Sequence, residues 1–428
     1  MHLDKIIIIS DVLEEVAENL FSAKAYETPS DSVRAEDLVM KLPDWFDKKK
    51  HEQGREFIKN FLFGQSVSMT LGLISVFSIP TILEVLVGTT RSNTEITAYR
   101  RYWSTFSHIM YWFDDELKPG SKSWKSLHTV RSRHVRADRA AKLKRHGTVS
   151  QRDISLTLFG FIGITVLKPD KLGITQLKPG DWEGFNHFWA VLGAMIGLED
   201  KYNICRKTFE ETRLMCKIIQ ERIYTPCMEN VPEYFEHSSR VMLDGMNSVN
   251  PAIEAESLMF MARYVSDVPG YVYNERDLFT LRDKIKKHLD GKPPNTGVDS
   301  EELMGKCPLK LSKRPPRLLY LQDYETVENS PPYKQLTFKG KYKLALMNIF
   351  MSFYSCFIGR ALLNFHFKFY IFLGKYLPYT VIWRYGFQHA YSDIFKEDPA
   401  DPTPPKPNSE YYKPKKETWY EAILSILW

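Results

Sequence analysis

Apolar positions along this chain recur at helical spacing or in unbroken runs, without the strict alternation of half-buried strands. Residues 1–40 mix acidic and apolar positions and read as a short helix followed by a loop at Thr28, Pro29, Ser30 and Asp31. Lys48 to Lys59 is a charged amphipathic helix with Gly54 inside it. Asn60 to Leu83 carries no charged side chain. Length alone would let it span a membrane. Its small polar residues (Ser66, Ser68, Ser75, Ser78) and Pro80 favour instead a buried core helix that kinks or ends before the proline.

The next helix is expected over 92–113, capped by Ser92 or Asn93, and a basic one over 121–145. Gln151–Val166 is apolar, and Asp181 opens a helix that runs to Gly197. Gly193 and Gly197, four residues apart, would allow a neighbouring helix to approach closely. Helical patterns continue to residue 290, broken at Pro226, Pro232, Pro251 and Pro269. The expectation is an all-α protein, a helical bundle with its main domain over 41–290 behind an N-terminal extension, 1–40. Residues 291–340, rich in proline and lysine, read as a connector.

The remainder, 341–428, begins with an apolar and aromatic stretch, 341–388, punctuated by Arg360, His366, Lys368, Lys375 and Arg384. Aromatics interleaved with basic residues suit a segment lying in a membrane interface, its basic side chains reaching head groups. A second helical layer packed on the core leaves the same pattern. The tail 398–416 is proline-rich, and Tyr420–Trp428 is a small apolar end.

One helix face stands out. Arg101, Ser104, Thr105 and His108 sit at i, i+3, i+4 and i+7, a polar stripe flanked by Tyr102, Trp103, Phe106 and Tyr111. Buried polar groups need partners, so such a stripe can face a ligand. The basic helix that follows holds His134 among Arg131, Arg133, Arg136 and Arg139. A lone histidine is usually a satisfied structural one, and the arginines fit a solvated face or a phosphate-binding patch as well.

Composition narrows the classes. A chain of 428 residues, 43% hydrophobic, can bury a large core, and 14% aromatic content points to a large apolar cavity or a membrane-facing surface. The net charge of +6 is too modest for a dedicated nucleic-acid binder of this length. Five widely spaced cysteines (Cys205, Cys216, Cys227, Cys307, Cys356) form no CxxC pair, which speaks for a reducing compartment. The Ile6–Ile9 run is too short for a secretory signal. These features together predict a membrane-associated protein whose main domain faces the cytosol.

No glycine-rich phosphate loop, HExxH, GxSxG or repeated Glu-x-x-His set is present. What the inventory does fit is haem: one imidazole as axial ligand, basic side chains for two propionates, an apolar slot, and a few polar groups to handle oxygen.

The order of Leu42, Pro43, Asp44 and Trp45, the charged helix with Gly54, Arg101-x-x-Ser104-Thr105, Arg133-His134-x-Arg136, and Gly180, Asp181 and Trp182 with a later Gly-x-x-x-Gly resembles the rubber oxygenase (latex-clearing) and endoplasmic-reticulum-bound oxygenase family of MpaB type. The resemblance covers roughly residues 40–240, and it rests on order and spacing rather than on one motif. It implies an all-α fold binding haem b, and an enzyme that uses dioxygen to oxidise or cleave a hydrophobic, isoprenoid- or lipid-like substrate at a membrane, with the endoplasmic reticulum as the expected location.

By the same resemblance His134 is the proximal iron ligand, Arg101 and Thr105 are the distal pair, Thr165 is a pocket residue and Arg131 a cofactor contact. Glu84, after a one-residue shift, takes the place of a proposed catalytic base. Ser104 stands where some relatives have a lysine able to cap the iron, so a lysine-closed resting state is not expected. Two other readings stay open: a non-catalytic haem or lipid carrier, and a membrane scaffold whose basic helix binds phospholipid heads.

Overall fold

A computed structural model describes residues 13–305, 317–391, 393–397 and 399–412. The Ile6–Ile9 run, Cys307 and the Tyr420–Trp428 end lie outside the described residues. The longer helices are α1 Lys48–Asn60, α2 Leu62–Val76, α3 Pro80–Gly88, α4 Glu95–Asp114, α5 Lys122–Lys144, α6 Gln151–Leu167, α7 Asp181–Met195, α8 Phe209–Ile219, α9 Phe235–Asn247, α10 Ala255–Val265, α11 Glu275–His288, α12 Phe338–Tyr354, α13 Phe357–Tyr376 and α14 Tyr379–Tyr385. Two dipeptides, Val298–Asp299 and Leu318–Leu319, pair antiparallel. The protein is all-α.

The uncharged stretch 60–83 breaks as its proline requires. α2 ends at Val76, and Pro80, placed where a missing N–H costs nothing, opens α3 at 91° to it. α2 is largely buried, with Gln65, Ser66, Ser68 and Ser75 inside. Ser66 and Ser75 return their hydroxyls to the carbonyls of Leu62 and Leu71, the internal bonding that makes such residues tolerable in a core helix.

Helix crossings depend on glycines. A Cβ on Gly54 of α1 would collide with the Gly184 carbonyl of α7, and one on Gly72 of α2 with the Gly160 carbonyl of α6. These backbone-to-backbone contacts sit elsewhere than the expected Gly193/Gly197 pair. Gly197 instead ends the turn after α7 at φ +104°, and a Cβ on Gly193 would lie 3.2 Å from the Leu158 side chain.

α4 starts one or two residues later than expected. Thr94 caps it and exchanges bonds with Thr97 in a capping box. α5 begins after its cap Ser121 and closes on Arg145 in the left-handed conformation.

After the connector, α12 and α13 form a hairpin bent by 120°. Leu344, Met351 and Tyr354 of α12 and Gly359, Arg360 and Gly374 of α13 are buried against the body. Arg360, expected to reach toward solvent or head groups, is only 6% exposed: it lies 4.8 Å over the Phe61 ring and donates to the Thr175 carbonyl. Among the described residues no single helix is long and apolar enough to cross a membrane.

The segment 393–411 then runs back across the bundle. It is tied by His108 and Arg133 to the Ile394 carbonyl, by Asn93 to the Thr403 carbonyl, and by Asn408 to the start of α9.

Candidate functional site

The four stripe residues of α4 fall where their spacing puts them, together on the wall of one cavity. Arg101, Ser104, Thr105 and His108 line a space of about 590 Å³, partly open to the outside. It lies between α2, α4, α5, α6 and the inner face of α12–α13. Most of the remaining wall is apolar, including Phe77, Trp103, Trp112, Phe161 and Phe367. The volume and the apolar lining with a few converging polar groups are those of a small-molecule site.

His134 of α5 is part of the same wall. Burial, together with the positive charges of Arg101 and Arg133, pushes its pKa down to about 4, so the ring is neutral at physiological pH. Its Nδ1 is buried with no hydrogen-bond partner. Three other wall residues carry orphaned buried atoms, Tyr102 Oη, Asp153 Oδ2 and Trp189 Nε1. Each such atom costs about 1–3 kcal/mol unless something binds it, and four of them around one cavity mark it as a place for a ligand.

Arg101 Nη1 donates to the Thr89 hydroxyl at 2.8 Å, which fixes the guanidinium at the cavity's polar end. Thr105 donates its own hydroxyl to the Arg101 carbonyl at 3.0 Å and is nonetheless exposed to the space it lines. Arg133 spans two elements: Nη1 lies 3.3 Å from His108 Nε2, and Nη2 donates to the Ile394 and Lys396 carbonyls at 2.7 and 2.6 Å. Glu397 follows on the same segment and pairs with Arg91 at 2.8 Å and Arg136 at 3.5 Å. Burial alone would raise the Glu397 carboxyl, but the bond and charge of Arg91, with Arg136 and Arg133 behind it, hold it below the usual range.

His108 is a satisfied core histidine. Nδ1 lies 2.8 Å from the Ser126 hydroxyl and Nε2 3.0 Å from the Ile394 carbonyl. His187 is also satisfied, accepting from the Asp47 backbone N–H away from the cavity.

Three other sequence candidates lie off this wall. Thr165 is fully buried, bonding Gln65 Oε1 and Ser68 Oγ between α6 and α2. Arg131 does not line the cavity and pairs with Asp31 at 2.6 Å. Glu84 is exposed on α3 and does not line the cavity. Arg131 and His134, three apart, share a face of α5 about 60° from each other, and Asp31 decides which way the arginine points.

Asp153 is the carboxyl that sequence reasoning missed. It sits in the first turn of α6, where an acid reads as an ordinary helix-start residue, yet it is 4% exposed and lines the cavity. Desolvation raises its pKa, opposed by the 2.7 Å bond from Thr81 and by Arg152.

The cavity accommodates a haem on the terms of its own residues. Its wall offers a neutral imidazole with an unpartnered buried nitrogen, two arginines at one end, and apolar surface over the rest. Among the described residues no group of three or more His, Cys, Asp or Glu side chains is placed to hold a bare metal ion.

No protein-family model matches the chain. No curated protein matches it either. Among solved structures, a latex clearing protein in the closed state superposes with a TM-score of 0.44 at 18% identity, over 64% of this chain and 78% of that one. A likeness of that degree carries no residue's role across.

Proposed function

We propose that the protein is a haem-dependent oxygenase acting on a hydrophobic substrate. The observation that carries this reading is the cavity itself: about 590 Å³ of mostly apolar space whose wall holds neutral His134 beside Arg101, Thr105 and Arg133. Haem b bound there supplies the redox chemistry that activates dioxygen.

His134 would hold the haem iron through an imidazole nitrogen, kept unprotonated by burial and by its arginine neighbours. Arg101 and Arg133 give propionate carboxylates a cationic end. Arg101, held by Thr89, stabilises negative charge developing on an oxygen atom without having to reorganise, and Thr105 joins it once its hydroxyl turns from the Arg101 carbonyl. The apolar wall excludes water and holds an isoprenoid- or lipid-like chain. Asp153, protonated more readily than a surface carboxyl, takes the acid–base position that Glu84, outside the cavity, does not fill.

The test is an absorption spectrum of the purified full chain. A Soret band is expected, lost or strongly shifted in His134→Ala. A protein without pigment after haem reconstitution, or a variant with the parent's spectrum and iron content, overturns the reading.

The exposed position of Glu84 favours one competing reading, a haem or lipid carrier without turnover. Oxygen consumption with a polyunsaturated lipid separates the two: a pigmented protein that consumes none is the carrier.

A further inference from the structure

The large apolar side chains left exposed on the described chain are concentrated on α12, α13, α14 and the residues just after them. Phe357, Phe365, Trp383 and Phe387 are each 70–79% exposed, and Ile358, Leu362, Phe369 and Phe372 accompany them. Large apolar side chains left bare in such numbers along one stretch of chain ordinarily mark an interaction site.

Its charge is one-sided. Between Glu328 and Asp393 the sequence contains no aspartate or glutamate, and Lys368 and Lys375 stand among the aromatics of α13, whereas Arg384 of α14 pairs with Glu95 of α4 at 3.0 Å and Lys343 lines the cavity. Lys375 lies over the Tyr111 and Tyr376 rings. A surface for another protein would ordinarily mix both signs around its apolar centre, whereas the α13 face, with aromatic rings, lysines and no acid of its own, complements an anionic lipid interface. The 120° bend leaves each helix able to lie along a bilayer rather than through it.

The same two helices form one side of the cavity. Leu346, Met347 and Phe350 of α12 and Phe367, Tyr370 and Ile371 of α13 line it from within. Phe350 does so while 41% exposed. On this side a single helix layer separates the cavity from the bare apolar face.

We propose that the outer face of the α12–α13 hairpin with α14 docks on an anionic lipid bilayer, and that the cavity takes an acyl or isoprenoid chain from that bilayer past Phe350. Docking stands on the exposed face alone, whereas the identity of the chain as a substrate rests on the oxygenase reading above. A water-insoluble chain delivered this way never crosses water, which removes the hydrophobic cost of transfer.

The full chain is mixed with sucrose-loaded vesicles of phosphatidylcholine, with and without phosphatidylserine, and sedimented. It should pellet with the phosphatidylserine vesicles, less with phosphatidylcholine alone, and less at high salt. Trp383 is a built-in reporter: vesicles with brominated acyl chains should quench part of the tryptophan fluorescence, and Trp383→Phe should remove that part. The triple variant Phe357→Ser, Phe365→Ser and Phe372→Ser should bind vesicles at least about tenfold more weakly, since each exposed ring gives up its apolar burial in lipid. Circular dichroism checks that its helices persist.

A chain that stays in the supernatant with both vesicle types, or a folded triple variant that binds like the parent, overturns the docking surface. Lipid-independent dimerisation that covers the face and abolishes vesicle binding also overturns it, and assigns the face to a second copy. Vesicle binding by a chain that never takes up haem leaves the docking surface standing and defeats the oxygenase reading. With haem bound, cavity access is tested by Phe350→Arg, which should slow oxidation of vesicle-borne lipid at least about tenfold while leaving vesicle binding and the spectrum unchanged. Unchanged turnover in that variant overturns the route past Phe350.

Discussion

Arg133 Nη2 donates to the Ile394 carbonyl at 2.7 Å, joining α5 to a segment 261 residues further along the chain. The neighbouring bond to the Lys396 carbonyl and the Glu397 pairs with Arg91 and Arg136 make that segment the outer boundary of the cavity's basic end.

Replacing Arg133 by alanine removes a charge-assisted donor from one half-buried and one exposed carbonyl. We expect a stability loss of about 1.5–3 kcal/mol in chemical denaturation, with faster amide exchange over 393–403. A variant as stable as the parent, with unchanged exchange there, would show that the segment is held by its other contacts.

Thr105→Val keeps the shape of the α4 stripe and removes its hydroxyl. Arg101→Gln shortens the side chain and removes its charge. Both should lower oxygen turnover, the arginine variant by about a hundredfold or more, the usual effect of deleting one preorganised donor, and Thr105→Val should retain its pigment. Loss of pigment in Thr105→Val would reassign that residue to cofactor retention.

Arg131→Met tests whether that arginine serves the cofactor. Arg131 pairs with Asp31 and not with the cavity, so the variant should keep its full haem content per chain, while losing about 1.5–3 kcal/mol because the largely buried Asp31 is left without its charged donor. A drop in haem occupancy without unfolding would bring this arginine back to the cofactor.

His108 makes stability depend on pH. Burial first, and Arg133 second, push its pKa down to about 4 from an ordinary value near 6.5. In that window the unfolded chain binds more protons than the folded one, so stability is full above about pH 6.5 and declines as pH falls toward 4. His108→Gln should flatten part of this decline in thermal midpoints measured from pH 7.5 to 4.5. An unchanged slope would assign it to other groups, of which His134, depressed to about 4, and His51, depressed to about 3, are the next.

Gly72→Ala tests the α2–α6 crossing. The added methyl would fall on the Gly160 carbonyl, and since neither backbone has room to yield, we expect at least about 1–3 kcal/mol of destabilisation. Gly120→Ala, where nothing lies within 4 Å, measures the effect of positive φ alone.

The helices were legible in the sequence because their signals are local. Caps, Pro80 and the 3.6-residue period act within a few residues, and the α4 stripe converges on the cavity because i, i+3, i+4 and i+7 share a face in any helix. The same logic placed His134 on α5 but not its direction relative to Arg131, which depends on Asp31, one hundred residues away. Thr165 and Glu84 occupy helices whose presence was expected. Only packing decided that one is enclosed by Gln65 and Ser68 and the other turned outward. Asp153 gave no warning, since an acid in a first helical turn is ordinary until a cavity forms beside it. For 341–388 one face packs on the body and the other stays bare, and a pattern of aromatics and lysines is the same for a packed layer or an interfacial segment until the neighbouring helices take up one side. The chain by itself determined the helices and the chemistry each one carries. The tertiary structure decided which of those groups share a space, because burial and pairing are set by residues far apart in sequence.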